Sequence, residues 1–133
     1  MAVYFARNVV GNWADATSWD SVSSAGLGPA GPPVAGDTAT FDAGYTGNIT
    51  IAAAAACTTV SSIALASGTL THGAFNLTVA GNFTLVSTMT YTPVATSTIT
   101  LSANNTITTG GLLMPLIVSN TGITTTLGDN LTT

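Results

Sequence analysis

The sequence predicts an all-β chain built as a β-solenoid, with a short tryptophan-containing cap at its N-terminal end. Three observations carry this. First, from Gly68 to Leu101 apolar residues (Phe75, Leu77, Val79, Phe83, Leu85, Met89, Tyr91, Ile99, Leu101) alternate with Thr78, Thr84, Thr90, Thr92 and Thr100. A period of two means strands with one buried and one wet face, and β-branched threonine suits the wet one. Second, similar phrases recur at roughly 16–20 residues, the spacing of coils that bury their apolar faces only by stacking: Ile63-Ala-Leu65, Phe83-Thr-Leu85, Ile99-Thr-Leu101 and Leu116-Ile-Val118. Third, charged residues are 5 % of the 133, against about 25 % in an ordinary soluble domain. Rows of like charge would repel across strands ~4.8 Å apart, whereas Thr and Asn stack well.

A β-sandwich or jelly roll is the alternative. The two differ in pairing: a solenoid pairs successive coils in parallel, a sandwich pairs hairpins antiparallel. Few Asn-Gly or Asp-Gly hairpin turns occur, which favours the solenoid.

Taken in order, Ala2 to Arg7 alternates loosely and forms a short first strand. Trp13 and Trp19 lie six apart around Ala-Asp-Ala-Thr-Ser. Their rings form either a structural plug or a glycan-stacking platform, since indole faces also bind pyranose rings. Ser21 to Gly36, rich in Gly and Pro, is a loop. Gly36-Asp37 is a turn, Thr38 to Phe41 a strand, and Asn48 to Ile51 another. The five alanines from Ala52 to Ala56 are too short a run to nucleate a helix. With β-branched flanks they read as a tight crossing where only methyl groups fit, with a single helical turn as the alternative. Short strands then follow at Val60 to Leu65, Thr69 to Thr71, Phe75 to Val79, Phe83 to Leu85, Met89 to Tyr91, Thr98 to Leu101, Thr106 to Thr108, Leu116 to Val118 and Ile123 to Leu127. The chain divides into a cap or attachment segment, residues 1–47, and a repetitive solenoid, residues 48–133. Because Gly128 to Thr133 reads as the start of another coil, the solenoid is expected to continue or to be covered by a partner.

The charge pattern excludes several functions. Arg7 is the sole cation, and the acids are Asp15, Asp20, Asp37, Asp42 and Asp129. Between Ala43 and Gly128 there is no Asp, Glu, Lys or Arg. A net charge of −4 offers no basic patch for nucleic acid. Mean hydropathy is positive, yet no apolar run approaches the ~18–20 residues of a membrane span. The first residues lack a basic segment followed by an apolar one, so no signal peptide is expected. Cys57 is alone and reads as a buried filler.

Catalysis finds little to work with. His72 is the only histidine, and no second histidine or Cys–His spacing offers a metal site. The serines near it have no sequence-adjacent acid to complete a triad. Asp37 and Asp42 are the best carboxylate pair for glycoside chemistry; their turn and strand-end positions make them turn residues first and a polar calcium or sugar site second. Asn48, Asn76, Asn82, Asn104 and Asn130 each open an N-x-Ser/Thr triplet and read as turn asparagines. The chain is thus expected to be no enzyme and to carry no cofactor.

Gly11-Asn-Trp13, Trp19 and Pro32-Pro-Val-Ala-Gly-Asp37-Thr-Ala-Thr-Phe41 resemble the opening of repetitive Thr/Gly-rich β-helix surface proteins of bacteriophages and bacterial adhesin-like proteins. Leu77 to Leu85 and Thr126 to Leu131 are similar to that group's repeat units. The resemblance implies a right-handed parallel β-helix or related β-rich stalk, used for structure or attachment. On that reading the chain is a non-enzymatic virion component (tail fibre, spike or capsid decoration), or alternatively a carbohydrate-binding adhesin module. Its implied partners are other virion proteins, copies of itself as a homo-oligomer, and a host surface glycan. Its implied location is the virion, assembled in host cytoplasm, or else the bacterial surface.

Overall fold

A computed structural model of the chain describes residues 1–64 and 66–132. In chain order the strands are β1 (Val3–Ala6), β2 (Val10–Asn12), β3 (Trp19–Asp20), β4 (Thr38–Phe41), β5 (Asn48–Ile51), β6 (Ala55–Cys57), β7 (Thr59–Ser62), β8 (Thr69–His72), β9 (Asn76–Val79), β10 (Phe83–Thr84), β11 (Thr90–Pro93), β12 (Thr98–Leu101), β13 (Asn105–Thr108), β14 (Leu116–Ser119) and β15 (Thr125–Leu127). One 3-10 turn, Ala16–Ser18, precedes β3.

These strands form a β-solenoid of about four turns with three parallel sheets. Sheet A runs β15-β13-β10-β7-β4-β1-β3, sheet B runs β11-β8-β5-β2, and sheet C runs β14-β12-β9-β6. From β4 to β12 the chain visits A, B and C in turn, so successive strands there form no hairpins. Thr38 pairs with Thr59, Val60 with Phe83, and Phe83 with Ile107. The coil is therefore longer than the phrase spacing suggested, and the reason is physical. Phe83 lies in sheet A whereas Ile99 and Leu116 lie in sheet C, so the recurring phrases are not equivalent positions. Ile63 lies beyond the end of β7 and is half exposed; Leu65 lies outside the described residues.

The period-two reading places most of the core, but not Phe75, which lies just before β9 and is 42 % exposed. Ile49, Ile51, Val60, Leu70, Leu77, Val79, Phe83, Ile99, Leu101 and Ile107 stack inside at 0–1 % exposure, each contributing roughly 2 kcal/mol of apolar burial. Corner asparagines tie coil to coil. The side-chain oxygens of Asn8, Asn82 and Asn104 accept the amides of Thr46, Thr106 and Thr124, each at 2.8 Å. Asn48 and Asn76 instead open strands β5 and β9.

Three local features differ from the sequence reading. Residues 52–54 are an exposed corner between sheets B and C, not a methyl-lined crossing, and only Ala55–Cys57 is strand. Among the described residues the fourth coil has no sheet B strand; Thr109 to Leu112 turns there instead. Finally, β3 pairs antiparallel with β1, Phe5 opposite Asp20, and covers the outer edge of sheet A. Residues 1–47 supply this cover together with β1, β2 and β4 of the stack itself.

Candidate functional site

The cap holds the two sequence-predicted aromatic residues. Trp13 leaves β2 with its amide bound to the Thr50 carbonyl at 2.8 Å. Trp19 enters β3 after the 3-10 turn. The two indoles meet edge to face, centroids 4.9 Å apart at 70°. Trp19 packs on Phe41 at 6.3 Å, and Phe41 on Tyr45 at 5.0 Å, so an aromatic column runs from the cap into the first coils. Trp19 Nε1–H donates to the Trp13 carbonyl at 2.7 Å, and Trp13 Nε1–H to the Pro33 carbonyl at 3.3 Å. Trp13 is 3 % exposed and Trp19 0 %. Neither ring presents a face on which a sugar could stack while the cap is closed. Shallow apolar clefts flank the turn at Trp13 and Ala14, floored by residues 52–56.

The carboxylates share one role. Asp37 accepts the amides of Ala2 (2.9 Å) and Val34 (3.3 Å). Asp42 accepts those of Ser24 (2.9 Å) and Gly44 (3.1 Å). They flank opposite ends of β4, about 16 Å apart in extended chain, and do not converge. Asp20 accepts from Val22, Ser23 and Gly28. Asp15 accepts from the backbone and side chain of Asn12. Asp129 accepts the amides of Thr109 and Gly110, the latter at 2.6 Å. Gly110 and Gly111 have φ of +63° and +76°, a left-handed pair that aims successive amides at one anion. Backbone amides hold the carboxyls of Asp20, Asp37 and Asp129 below their ordinary range. Arg7 donates through Nε to the Gly26 carbonyl (3.0 Å) and through Nη1 to that of Thr17 (2.7 Å). Every charged side chain of the sequence is thus engaged in hydrogen bonds within the chain, some local and some between segments 18–35 residues apart. No group of three potential metal-ligating side chains occurs among the described residues.

The sequence reading missed one buried polar cluster. His72 ends β8 inside the core at 0 % exposure. Its Nε2 lies 3.0 Å from the Phe75 carbonyl and its Nδ1 2.6 Å from the Tyr91 hydroxyl. A carbonyl only accepts, so Nε2 carries the proton and Nδ1 accepts from Tyr91. Burial pulls the imidazole below its ordinary pKa, partly offset by the Phe75 carbonyl. Ser97, also fully buried, bonds the His72 and Gly73 carbonyls at 2.7 and 2.8 Å. The available signal was parity: Leu70 and His72 alternate inward on one strand, and Tyr91 pairs with Leu70 in the next coil. Burial also pushes the Cys57 thiol up to about 12, making it a poor nucleophile at neutral pH.

Comparison of the chain with protein families, curated proteins and solved structures gives no match.

Proposed function

We propose that this chain is a non-enzymatic structural component of a bacteriophage virion, a fibre, spike or capsid decoration that serves assembly or attachment. One observation carries the reading: all five carboxylates and the single cation are taken up by hydrogen bonds within the chain. No carboxylate pair is poised across a cleft, and His72 faces a tyrosine and a carbonyl, not a nucleophile and an acid. What the chain offers instead is a long stack of coils with a nearly charge-free surface. Leu113, Leu116, Val118 and Leu127 are 43–64 % exposed on the later strands and turns, which supports contact with other virion proteins or with copies of the same chain. A carbohydrate-binding adhesin would need an aromatic platform, and the burial of Trp13 and Trp19 weighs against it.

Mass spectrometry of purified phage particles tests the proposal. The chain is expected in stoichiometric amount in the particle. Its recovery solely as a free soluble monomer, with none in particles, would overturn the reading.

A further inference from the structure

Sheet C is one strand short. The first coil gives sheet A its strand β1 and sheet B its strand β2, and the next coil gives β4, β5 and β6. The strand that would lie on β6 in sheet C belongs between β2 and β4, but residues 13–37 instead build the 3-10 turn, β3 and the Gly/Pro loop. Among the described residues β6 therefore pairs with β9 alone. The other two N-terminal edges are covered: β3 pairs with β1 on sheet A, and the Ser18 side chain of the 3-10 turn sits against Gly11 of β2 on sheet B. The fourth coil also lacks a strand, but it fills the space with a close-packed turn, since a Cβ at Gly110 would meet the backbone of Val86 and Ser87. In the first coil the gap is open. Two clefts of about 220 and 180 Å³ lie over residues 52–56, bordered by Trp13 and Ala14, and the second also by Pro32–Ala35.

Three features of this gap select an extended chain as its occupant. The first is a free backbone edge. The Cys57 carbonyl accepts the Ala80 amide on the β9 side. Alternate residues of a parallel strand bond to opposite sides, so the N–H and C=O of Ala56 face the gap, where no strand lies. The loop across the cleft cannot pair with them through Pro32 or Pro33, which have no N–H. The second feature is the floor. The inward columns of sheet C run Ile99, Leu77, Ala55 and Leu101, Val79, Cys57. Each column ends at the gap on its smallest side chain, which leaves room for an aliphatic one. The third is charge: Asp15 is the one charged residue lining the clefts, which disfavours an acidic segment. A second copy does not fit by its own free sheet C edge. β15 follows β14 into sheet A, and with β14 seated in parallel on β6 it would fall where β4 stands. We propose that the gap takes up an extended, non-acidic segment of a partner protein as the missing strand of sheet C, with aliphatic side chains at alternate positions facing inward. The slot is a property of the cap, whichever particle or surface the chain serves.

Sheet C itself supplies the probe, a synthetic peptide copying Ala74–Gly81, whose Leu77 and Val79 are the inward residues of β9. It is titrated into the full chain up to millimolar concentration and followed by amide and indole NMR signals. The expected result is a saturable shift of Ala54–Cys57 and of the Trp13 indole, with slowed hydrogen exchange at the Ala56 amide. Leu77→Asp and Val79→Asp changes in the peptide should weaken binding at least about tenfold, the equivalent of losing one buried aliphatic side chain. In the protein, Ala56→Pro removes the free N–H at an edge position that tolerates proline, and Ala55→Leu fills the cleft. Each should abolish binding at an unchanged melting temperature, and if one variant fails to fold the other decides. No binding by the wild type would overturn the proposal. So would full binding by a folded Ala56→Pro or Ala55→Leu protein, or signal changes confined to β14 and β15. Self-association of the chain without peptide, abolished by Ala56→Pro, would make a second copy the occupant and would equally refute it.

Discussion

Replacing Trp19 by alanine removes the ring that joins cap to coil. The side chain is fully buried and an indole carries roughly 200 Å² of surface. At about 25 cal/mol per Å² its burial is worth near 5 kcal/mol, of which alanine keeps a small part. The Nε1–H bond to the Trp13 carbonyl adds about 1 kcal/mol. Partial collapse of the site lowers the total, so about 4 kcal/mol is expected, within the range for Trp→Ala in cores. Because coils contact chiefly their neighbours, the loss falls first on the N-terminal end. Urea unfolding followed by Trp13 fluorescence measures it: Trp19→Ala shifts the midpoint strongly and exposes Trp13, while Trp19→Phe, which keeps a ring but not the N–H, loses less than half as much. A change below about 1 kcal/mol for Trp19→Ala, well under the usual core value, would refute the plug and return both indoles to candidacy as a binding platform.

Three further outcomes follow from the same structure. His72 has a native pKa below its unfolded value near 6.5, so near pH 6 the unfolded chain binds more protons. Its contribution to stability is full above about pH 6.5 and is lost as pH falls below it; denaturation midpoints should decline between pH 7 and 5 in the wild type and stay flat in His72→Asn, and equal slopes would contradict the buried assignment. The depressed carboxyls of Asp20, Asp37 and Asp129 act in a lower window: their contribution is present above their unfolded value of 3.8 and disappears as pH drops beneath it, so Asp129→Asn should speed hydrogen exchange at Thr109 and Gly110. At Gly68 a Cβ would meet the Tyr45 ring and the Gly47 carbonyl; Gly68→Ala should cost about 1–3 kcal/mol by overpacking, read as a lower thermal midpoint, and an unchanged midpoint would mean the coils are not so closely stacked.

Strand positions were legible where a strand buries every second residue, as Asn48–Ile51 and Thr98–Leu101 do; Thr38–Phe41 also lies where the sequence puts it, although Ala39, Thr40 and Phe41 are all buried. The coil length was less legible. A solenoid's register is set between sheets that the chain visits in rotation, so Phe83 and Ile99 sound alike yet sit on different faces. The antiparallel β3 left no signal, being two residues long and just ahead of a Gly/Pro-rich loop. Asp37 and Asp42 were legible as turn residues from their neighbours. The engagement of all the carboxylates was not legible, because Asp129 meets amides about 20 residues away. His72 and Tyr91 meet across adjacent coils, and that contact emerges only once the register is known.

We propose that this chain acts by assembly. Sedimentation velocity of the purified protein at micromolar concentration tests that most directly. With no lysine in the sequence, little discourages sheet edges from pairing, and apolar side chains on the later strands are exposed. The predicted result is a discrete homo-oligomer, with a trimer as the expected species, that dissociates when a lysine replaces Leu116. A well-folded, non-aggregating monomer would contradict the account.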